Sequence, residues 1–251
     1  MHAVIMAGGH GRRLRPYTAV LPKPLMPLGD RPILDVLLHQ LVSAGAQSIT
    51  ISVGHLGGLI ESWVSHDASH AVPIEFLYEE EPLGTAGALA NVRRPGETFL
   101  ALNGDVLTTL DFAVLPRVNR MRGAIATMAI KQRHVDIEYG VVHRDDEGRI
   151  DRLEEKPRLE FTVSMGIYAM EPEIIDLIEK GERIDFPDLL LRAKAAGRDV
   201  GTYVHDGYWR DIGNRDDYEA AIDDFDANPD RFLAATAGAG TGRSRPRSAP
   251  R

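Results

Sequence analysis

The sequence predicts an α/β fold: a Rossmann-like, open and mostly parallel sheet with helices on both faces and a small β-rich insertion. Three observations support this fold class. Short β-branched runs alternate with helical segments in the first half, a glycine-rich loop follows the first run, and strand-like runs crowd together after Lys131. Alternating strands and helices are typical of a parallel sheet covered by helices. Strands too close together for crossover helices indicate antiparallel pairing.

The first half of the chain carries the alternation. Ala3–Met6 is predicted to be a strand, and Pro32 to Ala44 a helix, because apolar residues recur there at three- and four-residue spacing after a proline. The other elements predicted in this half are strand Ser48–Val53, helix His55–Val64, strand Pro73–Tyr78, short helix Thr85–Val92, strand Phe99–Leu102, helix Leu110–Met121 and strand Ala124–Lys131.

The second half begins with the β-rich insertion and ends in helices. The predicted elements are strands Tyr139–His143, Ile150–Glu154 and Phe161–Ala169, then helices Glu173–Glu179, Phe186–Ala196 and Arg215–Phe225. Asp185 and Asn214 precede the last two helices and are expected to be their N-caps. We expect residues 1–233 to form one domain, with halves 1–131 and 132–233.

Composition narrows the function classes. The absence of cysteine excludes disulfides, thiolate zinc sites and iron–sulfur clusters. No apolar run approaches the roughly 20 residues of a membrane helix, and the apolar start is too short for a signal peptide. We therefore expect a cytoplasmic protein that contacts no membrane.

The charge distribution separates the end of the chain from the rest. The net charge is −8, and residues 234–251 contain four arginines and no acid, so the remainder carries −8 − 4 = −12. Such an acidic body disfavours nucleic-acid binding. The basic stretch 234–251 has no apolar periodicity and is expected to be a disordered tail.

A glycine-rich loop, Met6-Ala7-Gly8-Gly9-His10-Gly11-Arg12-Arg13-Leu14, follows the first predicted strand. Phosphate-binding turns occur at this place in open α/β sheets, and glycines let backbone N–H groups approach a phosphate. The loop is not a dinucleotide fingerprint, because Leu14 occupies the third glycine position, and no Gly-Lys-Ser/Thr follows. Two prolines flank a single lysine in Pro22-Lys23-Pro24 and would orient it.

The run from Gly8 to Pro24 resembles the signature of the sugar-1-phosphate nucleotidyltransferases (NDP-sugar pyrophosphorylases), especially their mannose-1-phosphate guanylyltransferase-like members. The resemblance extends from Met1 to about residue 226. Five further segments match the family in order: Glu80-Glu81-Pro82-Leu83-Gly84-Thr85-Ala86-Gly87, Asn103-Gly104-Asp105, Tyr139-Gly140-Val141-Val142, Glu154-Glu155-Lys156-Pro157 and Trp209-Arg210-Asp211-Ile212-Gly213.

The chain departs from the family pattern in three respects. Arg12 stands where threonine is usual, and no asparagine precedes the glycine in Ser164-Met165-Gly166. The chain also ends too early for the C-terminal β-helix domain of longer relatives, so we expect no acyltransferase activity.

The resemblance implies transfer of a nucleotidyl group from a nucleoside triphosphate to a sugar-1-phosphate by Mg²⁺-dependent in-line displacement of pyrophosphate. Arg13 would hold the pyrophosphate and Lys23 the α-phosphate, while Asp105 and Asp211 would bind Mg²⁺. The expected substrate-binding residues are Ala7, Gly8, Gly9, Gly11, Glu79, Glu80, Gly84, Thr85, Gly104, Gly140, Glu155, Lys156 and Gly166. Among them, Lys156 would meet the sugar phosphate. No general base is needed, because a phosphate monoester loses its second proton near pH 6.

Guanine presents two donors, N1–H and its amine, and one carboxylate can accept both. Glu79, Glu80 or Glu81 would therefore favour GTP. By resemblance the sugar is mannose-1-phosphate, with heptose and cyclitol phosphates left open. The alternatives are a thymidylyl-, uridylyl- or cytidylyltransferase, a non-catalytic NDP-sugar-binding regulator and a dinucleotide-dependent oxidoreductase. Self-association is common among the relatives, so a homo-oligomer is left open.

Overall fold

A computed structural model describes residues 1–66 and 71–233, and the predicted disordered tail lies outside the described residues. The strands are β1 His2–Ala7, β2 Pro27–Leu28, β3 Arg31–Pro32, β4 Ser48–Val53, β5 Ile74–Tyr78, β6 Phe99–Asn103, β7 Val106–Thr108, β8 Ala126–Asp136, β9 Val141–Arg144, β10 Ile150–Glu154, β11 Arg158–Met170, β12 Val200–Val204 and β13 Trp209–Asp211. The α-helices are α1 Ile33–Ser43, α2 Gly57–His66, α3 Val114–Arg122, α4 Phe186–Ala195, α5 Arg215–Ala227 and α6 Asp230–Leu233. The 3₁₀ helices span Arg12–Leu14, Tyr17–Ala19, Lys23–Leu25, Gly87–Asn91 and Pro172–Leu177.

A seven-stranded sheet with the order β12-β8-β11-β6-β1-β4-β5 forms the centre of the molecule. Its ladders are parallel except for the two that β11 makes with β6 and β8. Only β11 therefore runs against the other six strands, as expected for a mostly parallel sheet.

Apolar side chains alternate between the two faces of β1, and each face is covered by helices. Ile5 belongs to one core cluster together with side chains of α1, α2 and α3. Val4 belongs to a second cluster, which contains Phe186 and Leu189 of α4. The predicted fold class is confirmed, because helices pack on both faces of the sheet.

The β-rich part lies where the sequence predicts it. The outer parts of β8 and β11 extend past the other strands of the central sheet and pair with each other, beginning with Arg158 opposite Asp136. Strands β9 and β10 form a separate antiparallel pair. Several apolar side chains there are exposed, among them Tyr139 and Phe161. Within residues 1–66 and 71–233, no helix has both the length and the hydropathy needed to cross a bilayer.

Several predicted elements differ from those observed. The segments predicted as helices around residues 85–92 and 173–179 are 3₁₀ helices, Gly87–Asn91 and Pro172–Leu177. Strands β7 and β12 are not predicted, because β7 has only three residues and β12 is interrupted by Gly201.

Both predicted N-cap residues occupy the N-cap positions of their helices, but only one of them caps its helix through its side chain. The Asn214 side chain accepts a hydrogen bond of 2.9 Å from the Asp217 N–H, which caps α5 as predicted. Asp185 is the N-cap residue of α4, but its side chain makes no capping bond there; its Oδ1 accepts instead from the backbone N–H of Thr85 at 2.7 Å. A tertiary contact across the sequence replaces the local bond that the pattern suggests.

His2 gives an expected pH dependence of stability. Burial lowers its pKa below 6.5, and its ring lies between Ser48 Oγ (2.8 Å) and Thr50 Oγ1 (3.1 Å). The unfolded chain then binds this proton more readily, so stability is lost as the pH falls below about 6.5. In urea unfolding at pH 8 and pH 5, His2→Gln should show a smaller loss of stability than the unchanged chain. An equal loss in both proteins would contradict the assignment.

Candidate active site

A cavity of about 460 Å³ opens at the carboxyl edge of the central sheet, where β1 and β6 end. This is the edge at which open α/β sheets bind ligands, and the volume suits a small molecule. The cavity is lined by Met6, Ala7, Gly8, Gly9, His10, Gly11, Arg12, Arg13, Lys23, Pro24, Glu79, Pro82, Gly84, Thr85, Asn103, Gly104, Asp105, Arg183, Asp211 and Gly213.

The glycine-rich loop forms one wall of the cavity, and its close contacts explain two of its glycines. A Cβ on Gly8 would lie 2.6 Å from Glu79 Oε1. Gly11 has φ +59°, a conformation that favours glycine, and its carbonyl accepts a 2.8 Å bond from Thr18 Oγ1. The chain then enters the 3₁₀ helix Arg12–Leu14, so both Arg12 and Arg13 lie on the cavity wall.

The two aspartates of the predicted metal site are brought together by a short ladder. Strands β7 and β13 pair antiparallel with Asp211 opposite Val106, and the Ile212 N–H donates to the Asp105 carbonyl at 3.1 Å. The two carboxyl groups therefore become neighbours although they lie far apart in sequence. Burial, and secondly the charge of Asp105, raise the pKa of Asp211.

Two cationic side chains adjoin this pair. Lys23 is buried and its Nζ makes an ion pair with Asp105 Oδ2. A Cβ on Gly213 would lie 2.8 Å from Asp211 Oδ2 and 3.2 Å from Arg13 Nη1. The Arg13 guanidinium and the Asp211 carboxylate therefore both lie next to Gly213. A larger residue at position 213 would displace both groups.

The backbone around Lys23 is fixed by its neighbours. Pro22 is extended with φ −66°, and Pro24 lies at the start of the 3₁₀ helix Lys23–Leu25. Proline fixes φ near −65°, so the backbone on both sides of Lys23 is restrained.

One oxygen of the aspartate pair is available for a ligand. Asp105 Oδ1 is buried and has no hydrogen-bond partner in the part of the chain that the structure describes. No cluster of three or more potential metal-binding side chains occurs in residues 1–66 or 71–233. Two carboxylates with one free buried oxygen fit a hard divalent cation whose other ligands come from phosphate and water.

Of the three consecutive glutamates, only Glu79 belongs to the cavity wall, whereas Glu80 and Glu81 lie outside it. The Glu79 carboxylate accepts a 2.6 Å bond from Ser52 Oγ and a 3.2 Å bond from the Leu83 N–H. These bonds fix the carboxylate at the end of the cavity formed by Pro82, Gly84 and Thr85.

The structure separates the remaining expected substrate-binding residues from this cavity. Gly140, Glu155 and Lys156 belong to the β-rich part and are not on the cavity wall. Glu155 Oε2 lies 3.2 Å from the position of a Cβ on Gly140, so these two are neighbours. Gly166, with φ +70°, lies directly behind Asn103: a Cβ there would be 2.6 Å from Asn103 Nδ2.

The predicted site residues omit two arginines of the cavity wall, Arg12 and Arg183. Of these two, Arg183 lies outside every motif. It precedes α4 in the polar segment Gly181-Glu182-Arg183, where no motif or periodicity singles it out. Only the folding of this segment against the loop at Gly84 brings it to the cavity.

Comparisons with known proteins identify the family of this chain. The Nucleotidyl transferase family model matches residues 2–228. A UTP–glucose-1-phosphate uridylyltransferase of Synechocystis is 35% identical over 242 residues, which cover 88% of this chain and 62% of that protein. A mannose-1-phosphate guanyltransferase of Yarrowia lipolytica is 34% identical over 231 residues, covering 87% and 62%. The chain thus spans about 62% of the length of these curated relatives.

The solved structures include HddC from Yersinia pseudotuberculosis complexed with GMP-PN. It is 26% identical, with a TM-score of 0.69, and the match covers 89% of this chain and 99% of that one. A glucose-1-phosphate thymidylyltransferase from Bacillus anthracis, at 23% identity and a TM-score of 0.69, shares the fold.

Proposed function

Because the chain belongs to the nucleotidyl transferase family, we propose that it transfers a nucleotidyl group from a nucleoside triphosphate to a sugar-1-phosphate. The nucleotide is GTP and the sugar is mannose-1-phosphate; the products are an NDP-sugar and pyrophosphate. The β7–β13 ladder is the observation that carries this proposal, because it sets Asp105 and Asp211 beside Lys23 in a cavity walled by a glycine-rich loop.

The acidic pair supports a role for Mg²⁺. Asp105 and Asp211 would hold the ion, and the free buried oxygen of Asp105 is the fitting donor. Bound there, Mg²⁺ would neutralise negative charge on the reacting phosphates. Within the described residues there is no third carboxylate in the group, which suits an ion that also binds its substrate.

The basic residues would reduce the electrostatic repulsion between the two anionic substrates. The sugar phosphate and the triphosphate are both anionic, and a body of charge −12 worsens their approach. Arg13 on the 3₁₀ helix after the glycines would grip two oxygens of the leaving pyrophosphate with its planar fork. Lys23, at the aspartate pair, would stabilise the α-phosphate as its phosphorus is attacked.

Glu79 supports GTP as the nucleotide. Its two hydrogen bonds, from Ser52 Oγ and the Leu83 N–H, orient the carboxylate without using all of its acceptor positions. The remaining lone pairs would accept the N1–H and amine donors of guanine. Glu80, outside the cavity wall, would then act only through its charge.

The sugar subsite would extend from the cavity to the β-rich part. Gly166 supports the wall at Asn103 from behind, whereas Gly140, Glu155 and Lys156 lie beyond the cavity wall. We assign the sugar hydroxyls to Gly140 and Glu155 and the sugar phosphate to Lys156, whose φ of +45° places it at a turn.

A substrate panel tests the proposal. The purified chain is incubated with GTP, UTP, dTTP or CTP, each with mannose-, glucose- or heptose-1-phosphate and Mg²⁺, and pyrophosphate release is measured. We expect the highest kcat/KM for GTP with mannose-1-phosphate. A tenfold advantage of UTP with glucose-1-phosphate would support the second candidate, a uridylyltransferase, which the Synechocystis relative suggests. Binding of NADH without turnover of any triphosphate would contradict both.

A further inference from the structure

The cavity end near Glu79 is closed by two segments that lie against each other, residues 83–87 and 182–186, which we call the clasp. The Ile184 N–H donates to the Leu83 carbonyl and the Ala86 N–H to the Ile184 carbonyl, each at 3.0 Å. Thr85 adds a bond through its side chain, whose Oγ1 accepts from the Phe186 N–H at 3.0 Å. The clasp therefore holds both segments by hydrogen bonds to backbone atoms.

Two glycines allow this close approach. A Cβ on Gly84, whose φ is +79°, would lie 2.5 Å from the Ile184 carbonyl oxygen. A Cβ on Gly87 would lie 2.4 Å from the carbonyl oxygen of Glu182. Any larger residue at either position would push the clasp apart, so these contacts set the position of the chain on both sides of residue 183.

The side chains next to Arg183 are occupied elsewhere. Glu182 accepts two bonds from the Arg192 guanidinium, at 2.8 and 2.5 Å, and this pairing lowers its pKa to about 2. Asp185 accepts from the Thr85 N–H at 2.7 Å. Neither acid forms an ion pair with the guanidinium between them.

Arg183 itself lines the cavity, is exposed, and has no ion-pair or hydrogen-bond partner among residues 1–66 and 71–233. A guanidinium is thus held by a fixed backbone at the same cavity wall as the Glu79 carboxylate. A guanidinium without a partner and a carboxylate on the wall of one cavity suit a ligand that offers both acceptors and donors.

We propose that Arg183 selects the nucleobase by donating to O6 and N7 of guanine. This inference rests on the proposed function and deepens it. Guanine carries the acceptors O6 and N7 side by side, and a guanidinium matches them with two parallel bonds. Glu79 takes the donors on the adjoining edge. Uracil and thymine offer one acceptor, O4, at the corresponding edge and cannot use the fork fully.

The test compares GTP with 7-deaza-GTP, which lacks the N7 acceptor and is otherwise the same molecule. Affinities are measured by calorimetric titration without sugar phosphate, for the unchanged chain, Arg183→Ala and Arg183→Lys. Arg198→Ala is the matched control, because Arg198 is also exposed and lies outside the cavity wall. Turnover of GTP by the unchanged chain is measured in parallel.

We expect Arg183→Ala to weaken GTP binding about tenfold or more, the range of a bidentate contact to a base. The unchanged chain should bind 7-deaza-GTP several-fold more weakly than GTP, and this difference should vanish in Arg183→Ala. Arg183→Lys keeps the positive charge but loses the planar guanidinium with its two parallel donors. It should therefore restore little of the affinity difference between GTP and 7-deaza-GTP. The control should bind both nucleotides as the unchanged chain does.

Two results would overturn the inference: equal binding of GTP and 7-deaza-GTP by the unchanged chain, or an equal loss of GTP and 7-deaza-GTP binding in Arg183→Ala that lysine restores. The second result would assign Arg183 to a phosphate. Failure of the proposed function has a different signature, because the unchanged chain would then bind GTP selectively and yet release no pyrophosphate with any sugar phosphate.

Discussion

Replacing Asp211 with asparagine is expected to lower kcat at least about a thousandfold without unfolding the protein. A bound divalent ion contributes several kcal/mol to the stabilisation of a phosphoryl transition state, and each 1.4 kcal/mol is a factor of ten in rate. The asparagine side chain would keep the shape of the aspartate and remove the charge that holds the ion. The measurement is pyrophosphate release as a function of Mg²⁺ concentration.

The same change should leave stability unaffected or raise it. Burial and the neighbouring charge of Asp105 raise the pKa of Asp211, which means that its charged form is disfavoured in the folded, metal-free protein. An uncharged amide removes this penalty, so the unfolding temperature without metal should not fall. Loss of activity with undiminished stability separates a functional role from a structural one.

Asp105→Asn should abolish turnover as well, but this change should lower the stability of the folded protein. Asp105 pairs with the buried Lys23, and an asparagine would remove the carboxylate that this ammonium group directly contacts. The matched control for both variants is Asp206→Asn, an exposed aspartate outside the cavity wall. Full Mg²⁺-dependent activity in either variant would refute the metal role.

The sequence was most informative where a feature is local. The glycine-rich loop, the strands that end at the cavity and the Asn214 cap follow from patterns within a few residues, and the structure has all of them. Parallel strands present their carboxyl ends at one edge of a sheet, so local patterns also predict which edge carries the site.

Features that depend on contacts between distant segments could not be predicted in this way. The β7–β13 ladder has three residue pairs and no periodicity that a pattern could detect. The Asp185 side chain bonds to the distant Thr85 and not to the first turn of α4, and Arg183 reaches the cavity only through the clasp. The family resemblance, and the strand-like run before each of them, predicted that Asp105 and Asp211 lie at the same sheet edge; the ladder that joins them could not be predicted from local patterns.

Glu79, Glu80 and Glu81 were predicted as a group, but the sequence could not show which of them reaches the cavity. All three carboxylates follow β5, and the sequence offers no reason to separate them. The structure does so because the Glu79 side chain points back to Ser52 on the neighbouring strand β4, while the next two residues lie outside the cavity wall. Side-chain direction at the end of a strand decides which acid reaches the cavity.

Arg13→Ala is expected to lower kcat about a hundred- to a thousandfold, the loss typical when one donor to a developing negative charge is removed. Arg13 lies beside Asp211 above Gly213, and its proposed ligand is the leaving pyrophosphate. The reverse reaction isolates this role: the KM for pyrophosphate should rise steeply, while the KM for the NDP-sugar should change little.

Two further variants determine whether Arg13 acts through its charge or its shape. Arg13→Lys keeps the charge without the planar fork, so it should recover only part of the lost rate. Arg15→Ala removes an exposed arginine two residues away that is not on the cavity wall, and it should leave both KM values unchanged. If Arg13→Ala instead raised both KM values equally, the guanidinium would serve to shape the cavity, since a specific pyrophosphate contact affects only one of them.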